Sequence, residues 1–166
     1  TRFAKFIKKW PTIKDLSNTT EPKILKFWSG LGYYSRARNL LKAAKIIEKN
    51  FNSKIPDQYE DLISLPGIGD YTAKAILGIG YNHSVMPLDA NIKRIFSRLY
   101  AFDKPIIKII KQLSTQADLF LSKQNSSNLI QSFMDYGSLI CTPRNPNCSI
   151  CKIKKNCLSY ENNIQN

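Results

Sequence analysis

Histidine is nearly absent: His83 is the only one in 166 residues. It sits in a loop, Tyr81 to Pro87, with no cysteine or second histidine beside it. A histidine-based metal site is thereby excluded, and a surface residue is the simple reading. Acidic residues are scarce too, 12 Asp and Glu against 25 Lys and Arg. No apolar run approaches the roughly 20 residues of a membrane-spanning helix, and no signal-peptide pattern is found. No stretch of useful length alternates apolar and polar residues, so strands have no support. No cysteine precedes Cys141, which excludes disulfides that staple distant segments. There is no internal repeat and no low-complexity tract.

What remains is basic and apolar. The formal net charge is +13 and 43% of residues are hydrophobic. That apolar share supports a real core, in one domain or two small lobes. A charge this large on a small chain points to a polyanionic partner, most simply nucleic acid. A membrane surface fits less well, because no single amphipathic segment concentrates the charge.

The periodicity predicts helices throughout, hence an all-α fold. Phe3, Phe6 and Ile7 line the first, which Pro11 stops. A second covers Pro22 to Ser29, capped by Thr20, with Ile24, Leu25, Phe27 and Trp28 inward. A long helix runs to about Asn50 on a stripe of Leu40, Ala44 and Ile47. A short one spans Gln58 to Ser64. The helix after Asp70, which can cap it, turns in Ala73, Ile76, Leu77 and Gly80. The next begins at Asp89 and carries Ile92, Ile95, Phe96 and Leu99. Another opens at Pro105 with Ile106, Ile110, Leu113, Ala117 and Phe120. The last, with Leu129, Ile130, Phe133, Met134, Gly137 and Ile140, delivers Cys141. Two lobes are expected, residues 1–102 and 103–166.

Three stretches carry chemistry. The first is Leu65-Pro66-Gly67-Ile68-Gly69, a turn between two helices, followed twenty residues after Gly69 by Asp89. Pro66 cannot extend the preceding helix. Gly67 and Gly69 leave backbone N–H groups open to an anion ahead of a helix start. Asp89 suits a helix cap and is also a candidate reactive carboxylate. The second is Gly30-Leu31-Gly32-Tyr33-Tyr34-Ser35-Arg36-Ala37-Arg38. An exposed Leu or Tyr on a tight turn can wedge into a base stack, and the arginines can take phosphates. The third is Cys141-x6-Cys148-x2-Cys151-x5-Cys157. Four thiolates in one short loop can hold zinc or a [4Fe–4S] cluster. Arg144, Lys152, Lys154 and Lys155 make that loop basic.

Together these motifs resemble the helix-hairpin-helix DNA glycosylase superfamily, the endonuclease III and MutY group, from about Phe3 to Cys157. LPGIG is similar to its hairpin, LDANIKR to its catalytic-Asp segment, and the cysteine spacing to its cluster loop. Within the group the chain is most similar to MutY-type adenine glycosylases, through GLGYYSRARNL, CTPRNPNC and Tyr71. Lyase members keep a Lys where Tyr71 stands, and Tyr cannot form a Schiff base. Lys74, one turn on, does not match that position.

The resemblance implies a helical lobe plus a smaller iron–sulfur lobe. It implies a monofunctional enzyme hydrolysing the N-glycosidic bond of adenine mispaired with 8-oxoguanine or guanine. Asp89 would stabilise the sugar cation and Tyr71 would line the pocket. Leu31 and Tyr33 would form the wedge. Gly67, Ile68 and Gly69 would hold a phosphate, joined by Arg36, Arg38 and Arg144. Cys141, Cys148, Cys151 and Cys157 would ligate a [4Fe–4S] cluster. Double-stranded DNA with a mismatched or oxidised pair is the implied partner, with no membrane and a monomeric, cytoplasmic (bacterial, nucleoid-associated) protein. The family's proton-donating Glu would precede Thr1, and its 8-oxoguanine-sensing domain would follow Asn166. The expectation is therefore a central fragment that does not excise adenine by itself. The competing readings are an endonuclease III-like lyase for oxidised pyrimidines and a non-catalytic DNA-binding module.

A phosphate-dominated interface makes affinity fall linearly on a log–log plot against salt. Fluorescence anisotropy with duplex DNA across a salt series is expected to show that slope; a flat response would contradict a nucleic-acid partner.

Overall fold

The computed structural model describes residues 1–122 and 124–164. Helices and turns account for them, and no strand forms among the described residues. Nor is any helix among them long and apolar enough to cross a membrane. The chain divides into two compact units, Thr1–Gly69 and Asp70–Asn166. The division falls at the end of the Leu65–Gly69 turn. The 102/103 boundary drawn from sequence lies inside the second unit, where Leu99 and Ile109 share one core.

In the first unit, α1 (Arg2–Lys9) starts at Thr1, whose hydroxyl accepts the Ala4 N–H. Phe6, Trp10 and Phe27 form a triangle of rings with centroids 5.1 to 5.7 Å apart. Edge-on packing of this kind adds to the burial of the rings. The chain then makes α2 (Ile13–Ser17), which apolar patterning does not predict. A capping box builds it: Thr12 Oγ1 accepts the Asp15 N–H, and the Asp15 carboxylate accepts the Thr12 N–H, both at 3.1 Å. Thr20 stands at the start of α3 (Glu21–Trp28), but its side chain makes no cap bond. Helix α4 (Ser35–Asn50) buries Ala37, Leu41, Ala44 and Ile47 against α2 and α3, and Leu40 is only half-buried. Helix α5 (Tyr59–Ser64) is pinned by the fully buried Leu62.

In the second unit, α6 (Asp70–Ala75) runs into a π-helical turn, Ile76–Gly80. Asp70 lies within the first turn of α6 and pairs with Lys74 at 3.0 Å. At Gly78 a Cβ would stand 2.6 Å from the Val85 carbonyl oxygen, so glycine is required. The loop that follows leaves His83 exposed and then buries Met86 and Pro87. Met86 N–H donates to the Asp118 carboxylate at 2.9 Å.

Helix α7 (Ala90–Leu99) is central here. Ile92, Ile95, Phe96 and Leu99 are buried as the period predicts. Phe96 meets the rings of Phe120 and Phe133 at 5.3 and 5.2 Å. In α8 (Ile106–Asp118) the predicted stripe holds at Leu113 and Ala117 and fails at its start. Ile109, Leu113 and Ala117 are buried at spacings of four, while Ile106 is 41% exposed. Phe120 lies past the helix end and reaches Phe96 from there. Helix α9 (Ser126–Leu139) packs on α7, and a short turn, Lys154–Asn156, leads to α10 (Leu158–Glu161).

Gly137 is the point of closest approach between α9 and α7. A Cβ there would lie 2.6 Å from Asn91 Cβ and 3.2 Å from its Cα. Helix propensity alone favours alanine by about 1 kcal/mol, but overpacking costs roughly 1–3 kcal/mol. Gly137→Ala is expected to lower the melting temperature by a few degrees; a rise would show that α7 and α9 separate without cost.

Candidate functional site

Asp89 is the N-cap of α7, with extended backbone (φ −75°, ψ 179°). One carboxylate oxygen accepts the Ile92 N–H at 2.6 Å. The other accepts the Asn91 side-chain amide at 3.2 Å. Both oxygens are thus oriented by the first turn of the helix, whose dipole favours negative charge there. Tyr71, on α6, is 45% exposed. Burial of the ring pushes its phenol above the ordinary range, and the Asp89 charge pushes it the same way. Tyr71 therefore lies within electrostatic reach of Asp89 and keeps its phenol proton.

A line of hydrogen bonds runs on from Asp89. Asn91 Oδ1 accepts from Arg94 Nη2 at 2.9 Å. Arg94 also donates to the Gly137 carbonyl at 2.6 Å and to the Cys141 carbonyl at 2.8 Å. One turn further, Arg98 donates to the carbonyls of Thr142 (2.6 Å) and Pro143 (3.0 Å) and to Cys141 Sγ (3.4 Å). Neither arginine has a carboxylate partner among the described residues. Their charges are spent on the segment that begins the cysteine loop.

Cys141, Cys148, Cys151 and Cys157 are all free thiols and line one cleft, together with Arg98 and Tyr136. Burial raises the Cys148 thiol above its usual range. The negative charges of Cys151, Cys141 and Cys157 raise it further, and the Arg98 guanidinium opposes them. The four sulfurs therefore lie within electrostatic reach of one another. Tyr136 donates its hydroxyl to Cys151 Sγ at 3.1 Å and accepts the Lys152 N–H at 3.0 Å. Burial, then the bond to Cys151, raises the Tyr136 phenol, so it too is a hydroxyl and not a phenolate. Among the described residues no three Cys, His, Asp or Glu side chains already converge as a metal-ion site. The donor chemistry nonetheless fits a thiolate-bound iron–sulfur group: four soft ligands, mostly apolar walls and two nearby cations, Arg98 and Lys154.

The other predicted residues fall in the first unit, apart from Arg144, which is exposed in the cysteine loop. Leu31 is 43% and Tyr33 81% exposed on a turn with positive φ at Gly30, Gly32 and Tyr33. Two neighbours hold that turn. The Trp28 indole N–H donates to the Gly32 carbonyl at 3.1 Å, and Arg36 donates to the Leu31 carbonyl at 3.2 Å. The Arg36 guanidinium also lies over the Trp28 and Tyr33 rings, at 5.7 and 5.4 Å. Arg36, read from sequence as a phosphate ligand, is thus engaged in shaping the turn. Arg38 is paired with Glu21 at 2.7 Å on the surface.

In the Leu65–Gly69 turn, Gly67 has φ +81° and a Cβ there would meet Asn39 Cβ at 2.7 Å. The Ile68 N–H closes the turn on the Leu65 carbonyl at 3.1 Å. Among the described residues no hydrogen bond takes up the Gly67 or Gly69 N–H. Asn91, Arg94, Arg98 and Tyr136 were not found from sequence. The i, i+4 spacing of Arg94 and Arg98, with no acid a turn away on the same helix, was the available signal.

Residues 1–116 match the profile of the HhH-GPD superfamily base excision DNA repair protein. The chain is 44% identical over 161 residues to the adenine DNA glycosylase of Buchnera aphidicola subsp. Baizongia pistaciae, covering 97% of the chain and 46% of that protein. To the adenine DNA glycosylase of Homo sapiens it is 32% identical over 155 residues, covering 92% of the chain and 28% of that protein. The chain thus spans about half the length, or less, of these curated relatives. Among solved structures, a thermostable thymine-DNA glycosylase superposes with a TM-score of 0.88 at 25% identity, covering 97% of this chain and 75% of that one. A trapped endonuclease III–DNA covalent intermediate superposes with a TM-score of 0.80 at 19% identity, covering 98% and 76%, a likeness of fold alone. With its helical architecture, its glycine hairpin and Asp89 at the head of α7, the chain belongs to the HhH-GPD superfamily of base excision DNA repair proteins.

Proposed function

We propose that this chain is the glycosylase core of a monofunctional adenine DNA glycosylase acting on duplex DNA that holds adenine opposite 8-oxoguanine or guanine. The observation that carries this is the Tyr71–Asp89 pair: a carboxylate held by two N–H donors, with a phenol where a lyase needs an amine. The likeness to adenine glycosylases supports the same substrate.

In this reading the target nucleotide is flipped from the stack, at a cost of a few kcal/mol. Leu31 and Tyr33 fill the gap it leaves. The Gly67 and Gly69 amides hold one phosphate, and Arg144 and the lysines of the cysteine loop take others. The C1′–N9 bond breaks with its electron pair leaving on adenine, which takes a proton from a general acid. Positive charge develops on the sugar, and the oriented Asp89 carboxylate stabilises it. Water then adds at C1′ and loses a proton, completing hydrolysis. Tyr71 lines the pocket beside Asp89 and offers a hydroxyl donor. With no amine at position 71, and Lys74 paired to Asp70, no Schiff base forms and the strand stays intact. Cys141, Cys148, Cys151 and Cys157 would hold a [4Fe–4S] cluster, which when bound supplies a rigid crosslink of the basic loop and a one-electron centre.

Asp89→Asn keeps the bonds at the helix start and removes the charge. In the full-length protein it is expected to slow adenine release at least ~100-fold, with duplex affinity within a few-fold of wild type. Single-turnover base release and anisotropy measure the two. Undiminished excision would remove Asp89 from the reaction.

A further inference from the structure

Tyr136 is joined to the cysteine loop at its start and again at its third cysteine. Its carbonyl accepts the Cys141 N–H at 2.9 Å, and its hydroxyl accepts the Lys152 N–H at 3.0 Å while donating to Cys151 Sγ at 3.1 Å. Two other contacts reach a cysteine sulfur. Arg98 donates to Cys141 Sγ at 3.4 Å, and the Cys157 thiol donates to the Arg98 carbonyl at 3.5 Å.

These contacts respond differently to ligation. A metal-bound cysteine is a thiolate with no proton, so the Cys157 contact is lost. The Tyr136 and Arg98 contacts place a donor on the sulfur, and such bonds strengthen when the acceptor becomes an anion. Of these two, the tyrosine's is the shorter. Its direction is also fixed. The hydroxyl oxygen already receives the Lys152 N–H, and the sulfur of a thiolate can only accept, so the phenol proton points at Cys151.

We propose that Tyr136 is a positioning residue that sets the reduction potential of the group held by the four cysteines, through its O–H···S bond to Cys151. This rests on the iron–sulfur reading above. A hydrogen bond to a ligating sulfur draws electron density from it and favours the more electron-rich member of the redox couple, which raises the potential. Removing the hydroxyl lowers the potential and makes the bound group easier to oxidise. A merely structural tyrosine would change iron retention or thermal stability and leave the potential where it was.

The test is potentiometry on the full-length, iron-loaded protein, with iron per chain and visible absorbance measured on the same samples. Tyr136→Phe is expected to keep the wild-type iron content and to shift the midpoint negative. It is also expected to lose its colour faster in ferricyanide. Tyr160→Phe is the control. Tyr160 lines the same cleft and makes no bond to a cysteine sulfur among the described residues, so its midpoint should not move.

If Tyr136→Phe does not retain iron, fluorotyrosine at position 136 decides the matter. It preserves the shape and strengthens the donor, and it should shift the midpoint positive. An unchanged midpoint in Tyr136→Phe, or in the fluorotyrosine protein, overturns the role of Tyr136. A wild-type protein that carries zinc, or no metal, overturns the iron–sulfur reading instead.

Discussion

The hydrogen bonds from Arg94 and Arg98 to backbone carbonyls are the interaction on which the second unit depends. Four carbonyls, of Gly137, Cys141, Thr142 and Pro143, are tied by two guanidiniums to α7. Hydrogen bonds to a charged donor contribute roughly 1.5–3 kcal/mol each. A planar fork holds its donors in a fixed geometry and can tie two or three carbonyls in set directions, whereas a lysine's ammonium rotates freely and fixes none. Among the described residues no carboxylate competes for either charge. As a result the helix that begins at Asp89 also carries the start of the cysteine loop, and Asn91 links the two along a single turn. Gly137 completes the arrangement, because only a residue without a side chain lets α9 approach Asn91 closely enough for Arg94 to reach across.

The first unit shows the same use of side chains to fix backbone. Tyr33 holds φ at +46°, which costs a non-glycine residue of order 1 kcal/mol. Trp28 and Arg36 offset that by binding the carbonyls of Gly32 and Leu31, and Arg36 also lies over the Tyr33 ring. The outcome is a turn whose exposed Leu31 and Tyr33 are held in shape before any partner arrives. Preorganisation of this kind lowers the ordering cost of binding.

Much of this was legible in the sequence, and the gaps have physical causes. α7 was read correctly because Ile92, Ile95, Phe96 and Leu99 follow one helical face and Asp89 is a strong cap. α2 was missed because a five-residue helix has no apolar period to display; its signal was the Thr12–Asp15 capping box. In α8 Leu113 and Ala117 were read correctly, but the first turn was misplaced because isoleucines stand at 106, 107, 109 and 110, and only packing selects Ile109. Asp89 at its helix cap, the hairpin glycines and the four cysteines were visible by type and spacing. Their supports were not. The bond of Arg36 to its own turn was not foreseen, and Tyr136 read as nothing at all. A side chain that bonds to distant backbone leaves no pattern in one sequence, whereas a helical face or a ligand spacing does.

The central claim concerns the reaction, and one assay addresses it directly. The full-length protein is incubated with a duplex holding adenine opposite 8-oxoguanine, and separately with one holding an oxidised pyrimidine, each with and without alkali. A monofunctional adenine glycosylase is expected to yield strand breaks at the adenine only after alkali, and none at the pyrimidine. Strand cleavage at the pyrimidine without alkali would contradict the account, since it requires an amine that the Tyr71–Asp89 site does not offer.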